Sequence, residues 1–426
     1  MKTSPQRLRR RLAVLLAVVG PGIITANVDN DAGGITTYSI AGADWGTALL
    51  WSLLPITVLL IVVQEMVNRM GIVTGKGLAD LIRENFGVKA TFYLMAALVV
   101  TNLGNVAAEF AGVTEAARIL GWNPYFVIFG ASVPLLWVMV VKGSQRSVER
   151  VFLVACLFYL SYVVVAFLVK PDWGTVARDA VVPSLPAPGY RTAWLLMLTG
   201  LVGTTVAPWM QFYQQAAVAE KGVKVEQLRY STIDTVLGGV TVSVIAGFII
   251  VACAAKIHGA HGSPPPGTHN ITEASQAARA LADLGEKVAP TLFAFGLLTA
   301  SLFAASVLPL STSFSVCEGM GFETGVNKRV PEAPTFYALY GLLLLAGACV
   351  VFVPRQYLVR IMYWSQILNG LVLPVVLLFI VRLVRDRRVM GRYANGPVLH
   401  ATAWVVCGAV SLLTLVAIGS LVLGGG

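Results

Sequence analysis

The sequence predicts an all-α polytopic membrane protein of eleven transmembrane helices, ten of them forming two inverted five-helix repeats. Three observations lead there. Apolar stretches of bilayer-spanning length recur along the whole chain, basic residues gather in alternate connections, and two of the stretches are interrupted at matching places.

The chain has 426 residues, 57% hydrophobic and 12% charged, with a mean hydropathy of +0.76. Soluble domains are less apolar and about twice as charged. A crossing takes roughly 20 apolar residues, and such segments lie near 12–42, 46–70, 90–118, 124–141, 150–170, 191–219, 230–256, 287–317, 334–354, 357–382 and 399–423. A basic segment, 1–11, precedes one transmembrane domain, 12–423, without a separate soluble module. Its expected parts are repeat one (about 12–170), repeat two (about 191–382) and an extra helix (399–423).

A net charge of +10 would suit a nucleic-acid partner, but the placement of the charge argues against one. With the N-terminus inside, 22 of the 31 Lys and Arg fall in inside segments, among them the runs 7–11, 142–150, 221–229 and 382–392. That is the positive-inside bias of membrane proteins, with attraction to anionic headgroups added. The lipid bilayer is thus the expected partner, in a plasma membrane (the inner membrane of a bacterium), with the N-terminus cytoplasmic and the C-terminus outside. A monomer suffices for this reading, which leaves oligomeric state open. "RLRRR" before an apolar run has the look of a secretory signal, but "GPGIITANVDND" replaces the cleavage site, so the segment reads as the first span. Cys156, Cys253, Cys317, Cys349 and Cys407 stand singly in apolar segments without zinc spacing and are expected to be small core residues.

Backbone groups in lipid must be hydrogen bonded, so unwound chain survives there only when buried in protein or lining a cavity. "VDNDAGGITTYS" places two aspartates, an asparagine and a glycine pair inside the first span, which predicts an unwound stretch over residues 29–34. "GTTVAPWMQFYQQ" places Pro208 inside the sixth, where proline cannot donate its backbone bond. Single kinks are common in membrane helices. Two breaks five spans apart, one of them acidic at mid-span, point instead to a substrate site between inverted repeats.

A buried carboxylate needs a partner from another helix or from a ligand, and a cation serves. Exposed carbonyls ending the first half-helix and preceding Pro208 add partial negative charge. Asp31 is the expected ligand and Asp29 a neighbour pointing differently, with Asn30 between them. The sixth span adds Thr204, Thr205, Ala207, Gln211, Gln214 and Gln215, while Met210 is the one nearby sulfur and neither break holds His or Cys. Oxygen ligands and water suit Mg2+ or Ca2+, whereas Mn2+ and Fe2+ gain from nitrogen or sulfur.

Asn102, Asn105 and Glu109 share one side of the third span, as do Gln366 and Asn369 on the tenth, either lining a pathway or bonding between helices. Glu65 and Arg69, at i and i+4, read as a structural ion pair. Residues 258–272 hold three of the four histidines in a Pro/Gly-rich stretch, a flexible loop rather than a metal trap, and Asn270-Ile271-Thr272 fits a glycosylation acceptor. No HExxH, Walker or nucleophile motif is present, so neither an enzyme nor a cofactor is expected.

"GPGIITANVDNDAGGITTYSIAGADWG", "QEMVNRMGIVTGKGLADL", "YSTIDTVLGG" and "YWSQILNGLVLPVVLLFIVRLVRDRRVMGRYANG" resemble the Nramp divalent-metal transporters over residues 20–396. The resemblance implies an eleven-helix LeuT-like (APC) fold with a metal site between the unwound parts of helices one and six. Against the family's Asp-Pro-Gly-Asn this chain has Asp31-Ala32-Gly33-Gly34, which keeps the aspartate and replaces the asparagine by Gly34. Against Met-Pro-His it has Ala207-Pro208-Trp209, which removes the sulfur ligand. Against Thr-Asp-x-x-Glu in helix three it keeps Glu109 but has Val106 at the aspartate, and the helix-six histidines correspond to Trp209 and Gln214.

These departures resemble the Nramp-related magnesium transporters. Loss of the methionine removes a soft ligand, and loss of the asparagine is expected to widen the pocket for an ion that keeps part of its water shell, as Mg2+ does. The expected metal site is Asp31 with Val28, Thr204, Gly34, Ala207 and Gln366; Asp29, Asn30, Trp209, Gln211, Gln214, Glu109 and Asn105 are expected in the pathway or around the site. With most proton acceptors missing, the expectation is uncoupled uptake of Mg2+, and also of Mn2+, as transported substrates by alternating access. The alternatives are a proton-coupled Mn2+/Fe2+ importer using Met210 and Glu109, and a cation-coupled small-solute symporter of the same fold.

Overall fold

The computed structural model describes residues 28–142, 160–187, 189–258, 288–326 and 328–422, with 22, 25, 271 and 276 singly. The basic segment 1–11, Cys156, His261, His269, Asn270, Thr272 and the terminal glycines lie outside the described residues.

The described helices are α1 (Ala32–Trp45), α2 (Leu53–Thr74), α3 (Leu78–Ile119), α4 (Val133–Lys142), α5 (Leu160–Leu168), α6 (Trp173–Val181), α7 (Arg191–Thr205), α8 (Pro208–Glu220), α9 (Leu228–Lys256), α10 (Val288–Met320), α11 (Pro334–Ala348), α12 (Leu358–Arg385) and α13 (Pro397–Val422). Among the described residues eight helical stretches are long and apolar enough to cross a bilayer, and they coincide with the predicted second, third and sixth to eleventh spans. The fourth is apolar but shorter, Phe126–Lys142, and the first and fifth are described only in part. Local chemistry sets several boundaries. Gly75 stops α2 in the left-handed conformation (φ 64°) and donates to the Gly71 carbonyl at 2.9 Å; Gly87 (φ 84°) bends α3 ahead of its apolar part.

Every residue of α1 is buried. This helix packs on α3, α7, α9, α10 and α12, while α8 packs on α2, α3, α10 and α12, so the two interrupted helices lie at the centre of the bundle. Glycines let backbones meet there: a side chain at Gly42 would strike the Ile250 carbonyl, and one at Gly203 would strike the Gln366 carbonyl and Gly370. By contrast α13 is peripheral, with Val405 71% exposed, a surface that suits only lipid. Cys253, Cys317 and Cys407 are buried as expected, but Cys349 is exposed. It opens the 3-10 turn that ends its span, and the tighter winding turns it away from the core.

Polar residues staple the bundle. The Glu65–Arg69 pair forms at 3.1 Å, and Arg69 also donates to the Tyr393 carbonyl at 2.9 Å and to the Asn395 side chain, tying the chain after α12 to α2. Arg69→Met is expected to cost about 1.5–3 kcal/mol, the worth of a charged hydrogen bond, visible as a lower thermal unfolding midpoint in detergent. Near the other end, buried Glu115 accepts from Arg355 through both oxygens at 3.1 and 3.3 Å. His258, the one described histidine of its loop, contacts the Ala43 carbonyl at 3.0 Å and so belongs to the end of α1.

The connection before α7 carries α6, capped by Asp172, which accepts from the Thr175 hydroxyl at 2.6 Å and the Gly174 N–H at 3.0 Å. These bonds hold the exposed Asp172 carboxyl below its usual range. A depressed carboxyl stabilises the cap at pH values above its unfolded value near 3.9 and loses that contribution as pH falls through the folded value. Amide protection factors in α6, corrected for the intrinsic exchange rate, are therefore expected to fall in that acid range. Thr47 donates to Asp179, and Ser184 to the Ala48 carbonyl at 2.6 Å, fastening this segment to the connection after α1.

Candidate functional site: two broken helices side by side

The first span is helical at Val28, unwinds over Asp29, Asn30 and Asp31, and resumes at Ala32. The break is shorter than the predicted 29–34. Asp31 is an N-cap whose Oδ1 accepts the Gly34 N–H at 2.6 Å, and this draws Gly33 and Gly34 into the first turn of α1. Glu109 reaches the same turn from α3: its Oε2 accepts the Ala32 N–H at 3.2 Å, one residue from Asp31, and its Oε1 is buried without a partner. Asp29 turns elsewhere, as expected, and its Oδ2 accepts from the Tyr38 hydroxyl at 3.3 Å. Both polar atoms of the buried Asn30 amide have no protein partner.

The sixth span breaks at Val206 and Ala207, and α8 starts with Pro208, where a missing N–H costs nothing. In the last turn of α7 the Thr204 hydroxyl is buried without a partner. The carbonyl before Pro208 is not the exposed acceptor that was expected. Ala207 accepts from the Met210 N–H at 3.2 Å and from Gln211 Nε2 at 3.3 Å, so both lone pairs are taken. Trp209 is buried, its carbonyl accepts from Ser311 at 3.0 Å and its ring lies 6.4 Å from that of Tyr213, outside the polar set at the break.

Two residues show that the breaks adjoin. Tyr38 bonds Asp29 and also meets the Thr205 hydroxyl at 2.8 Å. Gln366 of α12 has its side-chain amide nitrogen against Gly33 and its backbone carbonyl against Gly203. Its Oε1 accepts from Asn369 at 3.0 Å, and Asn369 pairs with Asn105 by two amide bonds of 3.0 Å each. Asn105 and Asn369 thus hold Gln366 in place; Asn102, bonded to Thr312 at 2.8 Å, is an interhelical tie. The expectation that Gly34 widens the pocket fails: the place its side chain would occupy is filled by the Asp29 carbonyl oxygen.

A second polar layer lies toward the other half-helices. Gln214 accepts from Thr25 at 2.8 Å and donates to Asn68 and Thr235 at 3.5 Å, Gln211 accepts from Gln64 at 3.3 Å, and Asp234 accepts the Gly22 N–H at 2.8 Å. It joins the first half of span one to α2, α8 and α9. Tyr38 and Ser301 were missed in the sequence: a lone tyrosine nine residues beyond an aspartate has no local signal, and Ser301, which lies with Ala32 against Gly112 and has no hydroxyl partner, resembles any serine in an apolar helix.

Chemically, the breaks bring together two carboxyls on one helix turn, Asp31 and Glu109, with the Asn30 amide, the Thr204 hydroxyl and the Gln366 amide on the adjoining elements. Among the described residues no three His, Cys, Asp or Glu side chains form a ready ligand set, so a bound ion would draw on hydroxyl, amide or water oxygens as well.

A helix bundle with two interrupted helices abutting at its centre is the architecture of broken-helix membrane transporters. The chain belongs to the natural resistance-associated macrophage protein-like family, which it matches over residues 22–420. It is 29% identical over 417 residues to the divalent metal cation transporter MntH of Ralstonia nicotianae, covering 94% of this chain and 90% of that one. To MntH of Bradyrhizobium diazoefficiens it is 26% identical over 425 residues, covering 96% and 90%. In structure it is similar to the Eremococcus coleocola manganese transporter, with a TM-score of 0.80 at 21% identity, covering 99% of this chain and 89% of that one. The nucleobase-cation-symport-1 transporter Mhp1 shares the fold more distantly, with a TM-score of 0.58 at 16% identity, covering 94% and 90%.

Proposed function

We propose that this protein carries Mg2+, and also Mn2+, into the cell through the adjoining breaks, without proton coupling, as an Nramp-related magnesium transporter. The supporting observation is the donor set: Asp31 and its neighbours offer oxygen only, and Ala207 replaces the soft ligand that the family resemblance implies. Mg2+ dehydrates reluctantly and is held by one or two carboxylates with several waters kept. Asp31 is the proposed principal ligand, with the Val28 carbonyl and Thr204 as helpers and Gln366 facing the ion from α12. Eleven spans, ten of them in two inverted repeats, about 12–170 and 191–382, and the last an extra helix, 399–423, with the N-terminus cytoplasmic, complete the proposal.

The absence of coupling is supported at Val106, where the resemblance places an aspartate: this side chain packs directly on Gly347 of α11, an apolar contact with no room for a hydrated carboxylate. Membrane potential suffices as a driving force, since a divalent ion gains about 4.6 kcal/mol per 100 mV. Two observations favour the second reading, proton-coupled Mn2+ or Fe2+ import: Glu109 and Asp31 accept from the same helix turn, and the relatives named above are manganese or divalent-metal transporters.

Metal preference tests the donor-set argument. In Ala207→Met the restored sulfur is expected to raise the ratio of Mn2+ to Mg2+ uptake in proteoliposomes by roughly tenfold, about 1.4 kcal/mol. An unchanged ratio would show that the absent soft ligand does not set selectivity.

A further inference from the structure

Away from the breaks, a groove of about 470 Å3 lies between α2, α6 and α9 on the outer flank of the bundle. Leu53, Val240, Gly247 and Phe248 line it, and Trp173 and Val176 of α6 close one end. Its rim is the lipid-facing surface itself: Leu54 and Val58 on α2 and Val244 on α9 are about half exposed. No residue of α6 is buried, so this helix roofs the groove without filling it. Its groove side carries Trp173, Val176 and Ala180, while Arg178 lies on the opposite face, the pattern of a helix lying in a membrane interface.

Water is a poor occupant. The only side-chain hydroxyls in the lining, Thr57 and Ser243, already donate to their own helices, to the Leu53 carbonyl at 2.6 Å and the Gly239 carbonyl at 3.0 Å, and a buried water needs two to four polar partners. The phase continuous with the opening is hydrocarbon. We infer that the groove is a lipid site that seats one acyl chain of a phospholipid from the adjoining leaflet. A chain there fills the space between α6 and the α2–α9 pair. Because Thr47–Asp179 and Ser184–Ala48 fasten the α6 segment to the connection after α1, the seated chain also braces the far end of the first broken helix.

The test uses the full chain in liposomes of phosphatidylethanolamine and phosphatidylglycerol containing a phospholipid with a diazirine in its acyl chain, with cross-linked residues mapped by mass spectrometry. Adducts are expected to concentrate on residues 50–58, 173 and 240–251, above those on the more exposed Leu412 and Leu415 of α13. Gly247→Leu occupies the groove without backbone collision, since an added Cβ meets only Leu53 Cδ1 at 3.6 Å. Groove adducts are expected to fall about fourfold for each methylene displaced, equivalent to about 0.8 kcal/mol, with those on α13 unchanged. Ser243→Leu is expected to act alike from the next turn of α9. Labelling spread evenly over the groove and α13, or groove labelling unaltered in both variants, would overturn the assignment.

Discussion

Replacing Asp31 by alanine is expected to abolish metal uptake, lowering flux by at least about 100-fold, since loss of a group that merely supports a metal ligand already costs about 10–100-fold. Asp31 has two roles in the structure. It caps α1 through the Gly34 N–H and it brings a carboxylate to the break, on the turn that Glu109 also reaches. Asp31→Asn separates them, because asparagine is as good a cap as aspartate but brings no charge to a cation. The asparagine variant is expected to unfold at the same temperature as the native protein and still to carry no Mg2+. Full flux in either variant would remove Asp31 from the site.

The second large effect is expected at Gly34. The family resemblance suggests that Gly34→Asn would rebuild a lost metal ligand. The structure argues for the opposite, because any Cβ at this position strikes the Asp29 carbonyl, a backbone atom fixed by the break itself. Gly34→Asn and Gly34→Ala are therefore expected to fail together. Overpacking of this kind costs about 1–3 kcal/mol, and displacing the break should reduce uptake at least tenfold in both, roughly the equivalent of 1.4 kcal/mol. An asparagine variant with native flux and improved Mn2+ uptake would show that the Asp29 carbonyl yields readily and that Gly34 does leave space.

Much of the architecture is legible in the sequence because the bilayer imposes it. Span length and the distribution of Lys and Arg report on lipid rather than on packing, and the predicted spans that the described residues cover recur as helices at nearly the same places. Pro208 was readable only through its pairing with the first break, five spans away, since Pro309 and Pro374 lie inside α10 and α12 without interrupting them. The extent of the first break was not, since Asp31 ends it by a cap whose acceptor and donor are three residues apart, and the same residues could equally have stayed unwound. The roles of carbonyls were least visible. That Ala207 has no lone pair left for an ion follows from the side chain of Gln211 folding back onto it. Nothing in residue order encodes that choice, or the meeting of Tyr38 with Thr205 across 167 positions. Polar residues at helical spacing, Asn105 and Glu109 with Gln366 and Asn369, did reveal which faces turn inward, while only the structure separates those that hold Gln366 from those that reach the break.

The central claim is movement of a hard divalent ion without a proton, and the most direct measurement is flux into proteoliposomes under an imposed inside-negative potential, with lumenal Mg2+ and Mn2+ indicators and lumenal pH followed together and the Asp31→Ala protein as control. The expected result is Mg2+ entry that grows with the potential, is absent in the control, and leaves lumenal pH unchanged. Mn2+ entry accompanied by acidification, with no Mg2+ signal, would contradict the account and give Glu109 the proton-carrying role that it withholds.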